Sequence, residues 1–155
     1  MIEVGQKIEN FTLKNQDNIE VSLNDFKGKW IVVYFYPKDN TPGCTTQACD
    51  FTAGIDDFYD EDTVILGISP DSVKKHQNFI AKQNLKITLL SDEEKEVLNT
   101  FGVWQLKKLY GREYMGVVRT TYLINPDFEV AYRWDNVRVK EHSNKVLEKI
   151  KELKA

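Results

Sequence analysis

Residues 30–51 read W-I-V-V-Y-F-Y-P-K-D-N-T-P-G-C-T-T-Q-A-C-D-F, and the fold turns on this run. Trp30 to Tyr36 is unbroken apolar and aromatic sequence, too short to span a membrane. Its β-branched and aromatic content predicts a strand buried on both faces. Pro37 ends it, and Lys38-Asp39-Asn40 forms a polar turn. Thr41-Pro42 then has the form of a helix start, with Thr at the N-cap and Pro at the first helical position. On that register Gly43 is N2 and Cys44 is N3. The first cysteine therefore stands in the first turn of a helix, at the carboxyl end of a central strand. Open α/β sheets place their active sites at that edge.

That position carries chemistry. First-turn N–H groups lack intrahelical partners, and the macrodipole favours negative charge beside them. A capping box would put a glutamate at N3. Here Cys44 takes the place, so a thiolate can fill the anionic role. A free cysteine titrates near ~8.5, and helix N-termini beside a cation bring such thiols to ~6 or lower, which enriches the nucleophilic form. A lone cysteine is more often an inert buried residue; the T-P-G-C context favours the reactive alternative.

The chain has 155 residues, a length that suits a single domain over 1–155. A domain of that size buries roughly 70% of its unfolded surface and needs no disulfide or metal staple. The net charge of -3, from 24 acidic and 21 basic residues, speaks against nucleic-acid or membrane-surface partners. Met1 to Asn10 lacks the apolar core of a signal peptide, and no apolar run reaches the ~18 residues of a membrane span. A cytoplasmic location is expected, and there two cysteines five apart point to catalysis or metal binding rather than a staple. Metal would need more ligands at suitable spacing. The two histidines, His76 and His142, are distant in sequence and read as surface residues.

Working outward, alternation at Phe11–Leu13 and Ile19–Val21 predicts an N-terminal hairpin. Ser22–Phe26 reads as a helical turn with Ser22 as its cap, stopped by Gly28. The helix after Cys44 is expected to reach about Tyr59. Thr63–Ile68 reads as a second buried strand, Val73–Gln83 as a helix, and Ile87–Leu90 as a short strand. Ser91 and Glu94 have the spacing of a capping box opening a helix to Phe101. Val103–Met115 reads as an irregular loop near the active edge. Val117–Ile124 and Phe128–Trp134 read as an antiparallel pair, and Glu141–Lys154 as a terminal helix. Strand–helix alternation with a late hairpin predicts an α/β layered sandwich.

Pro37-x-x-x-Thr41-x-x-Cys44 resembles the active-site motif of the peroxiredoxins. The wider run from Tyr34 to Cys49 looks like their Q-type branch, also called bacterioferritin comigratory protein. V-S-L-N-D-F-K-G-K upstream and M-G-V-V-R-T-T-Y-L-I downstream are similar to family segments too, so the likeness spans nearly the whole chain. It implies a thioredoxin-like fold, a central mixed β-sheet flanked by helices, with an N-terminal β-hairpin extension. It also implies reduction of hydrogen peroxide and organic hydroperoxides by Cys44. Arg119, the Thr41 hydroxyl and the backbone N–H groups of the Gly43-Cys44 turn would be donors to the leaving oxygen, with Pro37 and Pro42 shaping the pocket and excluding water. Cys49 would resolve the sulfenic acid as an intramolecular Cys44–Cys49 disulfide, recycled by thioredoxin or a similar dithiol. No flavin, haem or metal is implied. A monomer, or at most a weak homodimer, is expected.

Arg119 is the third piece. An unpaired charge among apolar strand neighbours costs several kcal/mol, so it needs a partner. An ion pair at the strand edge would serve. By resemblance, the R-T-T-Y-L-I context places this arginine beside the Cys44 sulfur instead. Three departures from the family pattern stand out: Ile8-Glu9-Asn10 for Ala-Pro-Asp, Gln47 for a frequent Glu, and Thr52-Ala53 for a frequent Arg-Asp. The last two bear on rate and substrate preference. Two other classes compete with a peroxidase. A thioredoxin-type disulfide oxidoreductase would use C-x-x-C, which C-x-x-x-x-C is not. A redox sensor or chaperone-like binder would oxidise once and stop.

Overall fold

A computed structural model describes residues 1–155. The elements run β1 (Thr12–Asn15), β2 (Glu20–Ser22), a 3-10 turn (Leu23–Phe26), β3 (Trp30–Phe35), α1 (Pro42–Ala53), α2 (Ile55–Asp60), β4 (Thr63–Ser69), α3 (Val73–Gln83), β5 (Thr88–Ser91), α4 (Glu96–Thr100), β6 (Trp104–Leu109), β7 (Arg112–Val117), β8 (Thr120–Ile124), β9 (Val130–Trp134) and α5 (His142–Lys154). Seven strands form one mixed sheet in the order β2-β1-β5-β4-β3-β8-β9. β3, β4 and β5 are parallel, and the remaining pairs are antiparallel. The N-terminal hairpin thus extends the sheet through β1 and β5.

β3 is buried on both faces, as its composition predicts, and it divides the core. Ile31, Val33 and Phe35 point to one side with Leu66, Ile68 and Tyr122, under Val97, Leu98 and Phe101 of the α4 region. Val32, Tyr34 and Tyr36 point to the other, under Ala48 and Phe51 of α1, Phe79 of α3, and Val146 and Ile150 of α5. Gly67 of β4 pairs with Tyr34 across the ladder. A Cβ there would lie 2.7 Å from the Tyr34 ring, so only glycine lets that ring stack on Phe51 at 4.9 Å.

Several expectations are corrected. The helix after Cys44 stops at Ala53, and a short α2 follows the break at Gly54. Glycine is a weak helix former, and the change of direction brings Phe58 to 5.8 Å from Phe51. The Ser91 capping box does not form. Ser91 ends β5 and its hydroxyl donates to the Asp71 carbonyl, while Asp92 Oδ2 accepts from Leu98 N–H at 2.8 Å. Lys95, with φ 62°, delays the helix to Glu96. The supposed loop at 103–115 is mostly the β6–β7 hairpin. Its two-residue turn, Tyr110-Gly111, has positive φ at both positions, as a type I′ turn requires. Val117 ends β7, and β8 starts only at Thr120, so Arg119 lies at the junction between strands rather than within one.

Neither histidine is on the surface. His76 and His142 are both buried. His142 shares a hydrogen bond with the Thr121 hydroxyl at 2.8 Å and packs edge-on against Trp134 at 5.6 Å. Burial, then the charge of Lys145, lowers its pKa to about 4. Between about 4 and 6.5 the unfolded chain therefore binds a proton that the folded chain refuses. Stability falls as the pH drops through that window and the loss levels off below it; its upper size is ~3 kcal/mol. His142→Phe keeps a ring in place and should flatten the denaturant midpoint against pH over this range. An unchanged slope would assign the acid sensitivity elsewhere.

Candidate active site

The site is built where β3 hands over to α1. Thr41 takes an extended N-cap conformation with Pro42 at the first helical position, as read from the sequence. Its carbonyl accepts the first helical bond from Thr45 N–H at 2.9 Å. Its hydroxyl does not cap the helix, and it is not free to donate to a leaving oxygen, the role the resemblance implies; its one hydrogen goes to the Lys38 carbonyl at 2.8 Å and closes the preceding turn. Pro37 is half-buried at the start of that turn. Cys44 follows in the first turn of α1, 1% exposed. Its first-turn setting brings the positive end of a twelve-residue helix to bear on the sulfur.

Arg119 comes to the same point from the β7–β8 junction. Its Nη2 donates to Cys44 Sγ at 2.9 Å, and its Nη1 donates to Gln47 Oε1 at 3.0 Å. Cys44 and Gln47 are three apart on α1 and share a face, so one guanidinium spans both. Gly43 makes the approach possible: a Cβ there would meet Arg119 Nη2 at 3.0 Å. Gln47 Nε2 is a buried donor without a partner. Its orientation is fixed by Arg119, which can only donate and so must face the amide oxygen.

Sequence reasoning overlooked a second cation. Lys107 of β6 is half-buried and donates to the Val117 carbonyl at 2.9 Å. Its pKa is lowered, first by desolvation and then by the charge of Arg119, with Cys44 acting the other way. The sequence pattern over 103–115 reads as a loop, so nothing in it aims this lysine at the site. Cys49 is half-buried on α1, and both thiols are free. On a continuous helix, residues five apart have Cα atoms ~8.6 Å from each other, beyond the ~7 Å that a disulfide tolerates.

A thiol under a helix N-terminus, with a guanidinium on its sulfur and a fold of this topology, defines a thiol-based redox enzyme. The AhpC/TSA family model matches residues 4–133. Peroxiredoxin Bcp of Bacillus subtilis is 47% identical over 152 residues, covering 98% of this chain and 97% of that protein. Peroxiredoxin Bcp of Escherichia coli is 39% identical over 151 residues, 97% of each chain. Among solved structures, a cysteine-to-serine variant of Xylella fastidiosa PrxQ superposes with a TM-score of 0.96 at 33% identity, covering 100% of this chain and 99% of that one. The bacterioferritin comigratory protein of Xanthomonas campestris, described for its alkyl peroxide reduction activity, gives 0.89 at 38% identity, covering 94% and 92%. The chain belongs to the AhpC/TSA family, in its Bcp/PrxQ peroxiredoxin branch, and is a thiol peroxidase with the thioredoxin fold.

Proposed function

We propose that Cys44 is the peroxidatic thiol and that residues 1–155 act as one catalytic domain reducing hydrogen peroxide and organic hydroperoxides. The observation that carries the assignment is the 2.9 Å contact from Arg119 Nη2 to Cys44 Sγ at the first turn of α1. The thiolate attacks one oxygen of ROOH. The sulfur–oxygen bond forms as the oxygen–oxygen bond breaks, and its electron pair leaves on RO⁻, which takes up a proton. Cys44 is then a sulfenic acid. Arg119 and first-turn N–H groups are the donors available to the leaving oxygen as charge builds on it. Thr41 acts through its tie to the Lys38 carbonyl, which shapes the turn, and Pro37 helps to close the pocket to water. The Cys49 thiol condenses with the sulfenic acid, releasing water and forming the disulfide. An external dithiol, thioredoxin or its equivalent, restores both thiols by exchange.

Support for a soluble setting comes from composition, and no helix is long and apolar enough to cross a membrane. We place the enzyme in the cytoplasm as a monomer, at most weakly dimeric, without nucleic-acid or membrane partners. Peroxide-dependent NADPH oxidation through thioredoxin reductase and thioredoxin tests the whole cycle; absence of turnover with every dithiol and peroxide tried would reject it.

The separation of Cys44 and Cys49 on one helix supports an intermediate step in this cycle. The first turns of α1 must unwind before the bridge can close, and Gly43, Thr45 and Thr46 are weak helix formers there. Cys49→Ser should leave the first peroxide reduction nearly intact, trap the Cys44 sulfenate and raise overoxidation under excess peroxide. Amide exchange over residues 43–51 should be faster in the disulfide form than in the dithiol form. Equal protection in both, with the intramolecular bridge confirmed by mass, would rule the unwinding out.

A further inference from the structure

The loop that delivers Thr41 is held by a buried polar network which the peroxide chemistry does not use. Asp39 is its centre. Its backbone N–H donates to Asp71 Oδ2 at 2.8 Å, its Oδ1 accepts from the Tyr36 hydroxyl at 2.5 Å, and its Oδ2 lies 2.6 Å from His76 Nδ1. The Ser69 hydroxyl donates to Asp71 Oδ2 at 2.8 Å. His76 Nε2 lies 3.0 Å from the Leu90 carbonyl. Tyr36, Asp39, Ser69, Asp71 and His76 are all buried.

The donor count settles what the cluster is. The Leu90 carbonyl only accepts, so His76 Nε2 carries a hydrogen. One further proton must lie between His76 Nδ1 and Asp39 Oδ2, because two bare lone pairs would not approach to 2.6 Å. The pair is neutral overall whichever partner holds that proton. Asp39, Asp71 and His76 do bring possible ligand atoms within 4.8 Å of one another. A cation there would have to displace the shared proton and the bond that anchors the Asp39 backbone. The cluster is a hydrogen-bonded clamp.

Its placement gives it a role. Only six residues, 36–41, separate the end of β3 from the start of α1, and Asp39 lies in the middle of them. The groups that grip it, Asp71 just after β4 and His76 on α3, and those that brace them, Ser69 at the end of β4 and the Leu90 carbonyl on β5, all belong to elements other than α1. The grip therefore survives when α1 unwinds. We propose that Asp39, His76 and Asp71 are positioning residues that fix the start of α1, hold Cys44 against Arg119 in the folded state, and confine the opening that forms the disulfide to the turns after Thr41. This rests on the peroxidatic reading of Cys44.

The test separates two rates in the full-length protein, with hydrogen peroxide as the probe: sulfenate formation and disulfide closure. Asp39→Ala combined with His76→Leu removes both halves of the pair without leaving a lone buried charge. It should slow sulfenate formation about tenfold through lost alignment. It should also speed disulfide closure, lower overoxidation under excess peroxide, and deprotect the amides of residues 38–45 in the dithiol form. Asp39→Asn is the conservative control. Its amide can donate to a neutral His76 Nδ1 while its oxygen still accepts from Tyr36, so both rates should stay within about twofold of the parent. Tyr36→Phe, which removes one bond, serves if the double variant does not fold and should move both rates in the same directions by a smaller factor. A clamp that merely stabilises the fold would leave the two rates unchanged wherever the variant is folded. Unchanged rates, or both steps slowed together, overturn the proposal. The exchange readout does not depend on which thiol meets peroxide, so failure of the Cys44 assignment shows separately, as turnover remaining in Cys44→Ser.

Discussion

Cys44→Ser is expected to lose peroxide turnover completely while keeping its fold. The oxygen of serine is hardly ionised at neutral pH, and a serine nucleophile needs an adjacent base to activate it. The side chain that bonds to position 44 offers no base. Arg119 can only donate, and Gln47 turns its amide oxygen to Arg119. Serine has no counterpart of the sulfenic acid either, so even a productive encounter could not take oxygen from the peroxide. The structural cost should be small, because a hydroxyl at position 44 still accepts from Arg119 Nη2 and the side chain is of similar size. Peroxide consumption with a dithiol reductant, beside a thermal melt of the same preparation, checks both halves. Substantial turnover in a folded Cys44→Ser protein would move the nucleophile elsewhere, with Cys49 the first residue to examine.

How legible this site was depends on the range of the interactions that make it. Thr41-Pro42-Gly43-Cys44 was readable because a helix start is local: an extended Thr41 followed by proline at the first helical position puts Cys44 in the first turn of α1. β3 was readable because a strand buried on both faces needs an unbroken apolar run. Arg119 was found through its flanking sequence; nothing in periodicity says that the β7–β8 junction meets the first turn of α1. The histidines were misread because each is a single polar residue whose partners, Asp39 for His76 and Thr121 for His142, lie 37 and 21 positions away. The β6–β7 hairpin was missed because its turn is Tyr-Gly rather than the usual Asn-Gly or Asp-Gly, and because lysines interrupt its alternation. At Ser91 a local rule lost to a tertiary one, since the hydroxyl found the Asp71 carbonyl before it could cap a helix.

Arg119→Ala should slow sulfenate formation by ~10²-fold or more, the size seen when one preorganised donor to a developing anion is removed. The guanidinium contributes at both ends of the step. On the proposed mechanism its Nη2, 2.9 Å from the sulfur, orients Cys44 before attack, and in the transition state the same group can follow charge onto the departing oxygen. Lysine at position 119 should restore only part of the rate, because a single ammonium cannot serve Cys44 and Gln47 at once as the forked guanidinium does. Lys107 sets the floor. The charge of Arg119 is one of the causes that lower its pKa, so removing Arg119 relieves that effect and leaves Lys107, held on the Val117 carbonyl, as the cation whose charge is still felt at Cys44. Arg119→Ala with Lys107→Ala should therefore be slower than Arg119→Ala alone, whereas Lys107→Ala in the parent should have a modest effect. If disulfide closure follows unwinding of α1 as proposed, it should be spared in all of these variants or be faster. Rapid-mixing measurement of thiol loss and disulfide appearance separates the steps. Sulfenate formation at the parental rate in Arg119→Ala would reduce the 2.9 Å contact to a packing feature of the reduced fold.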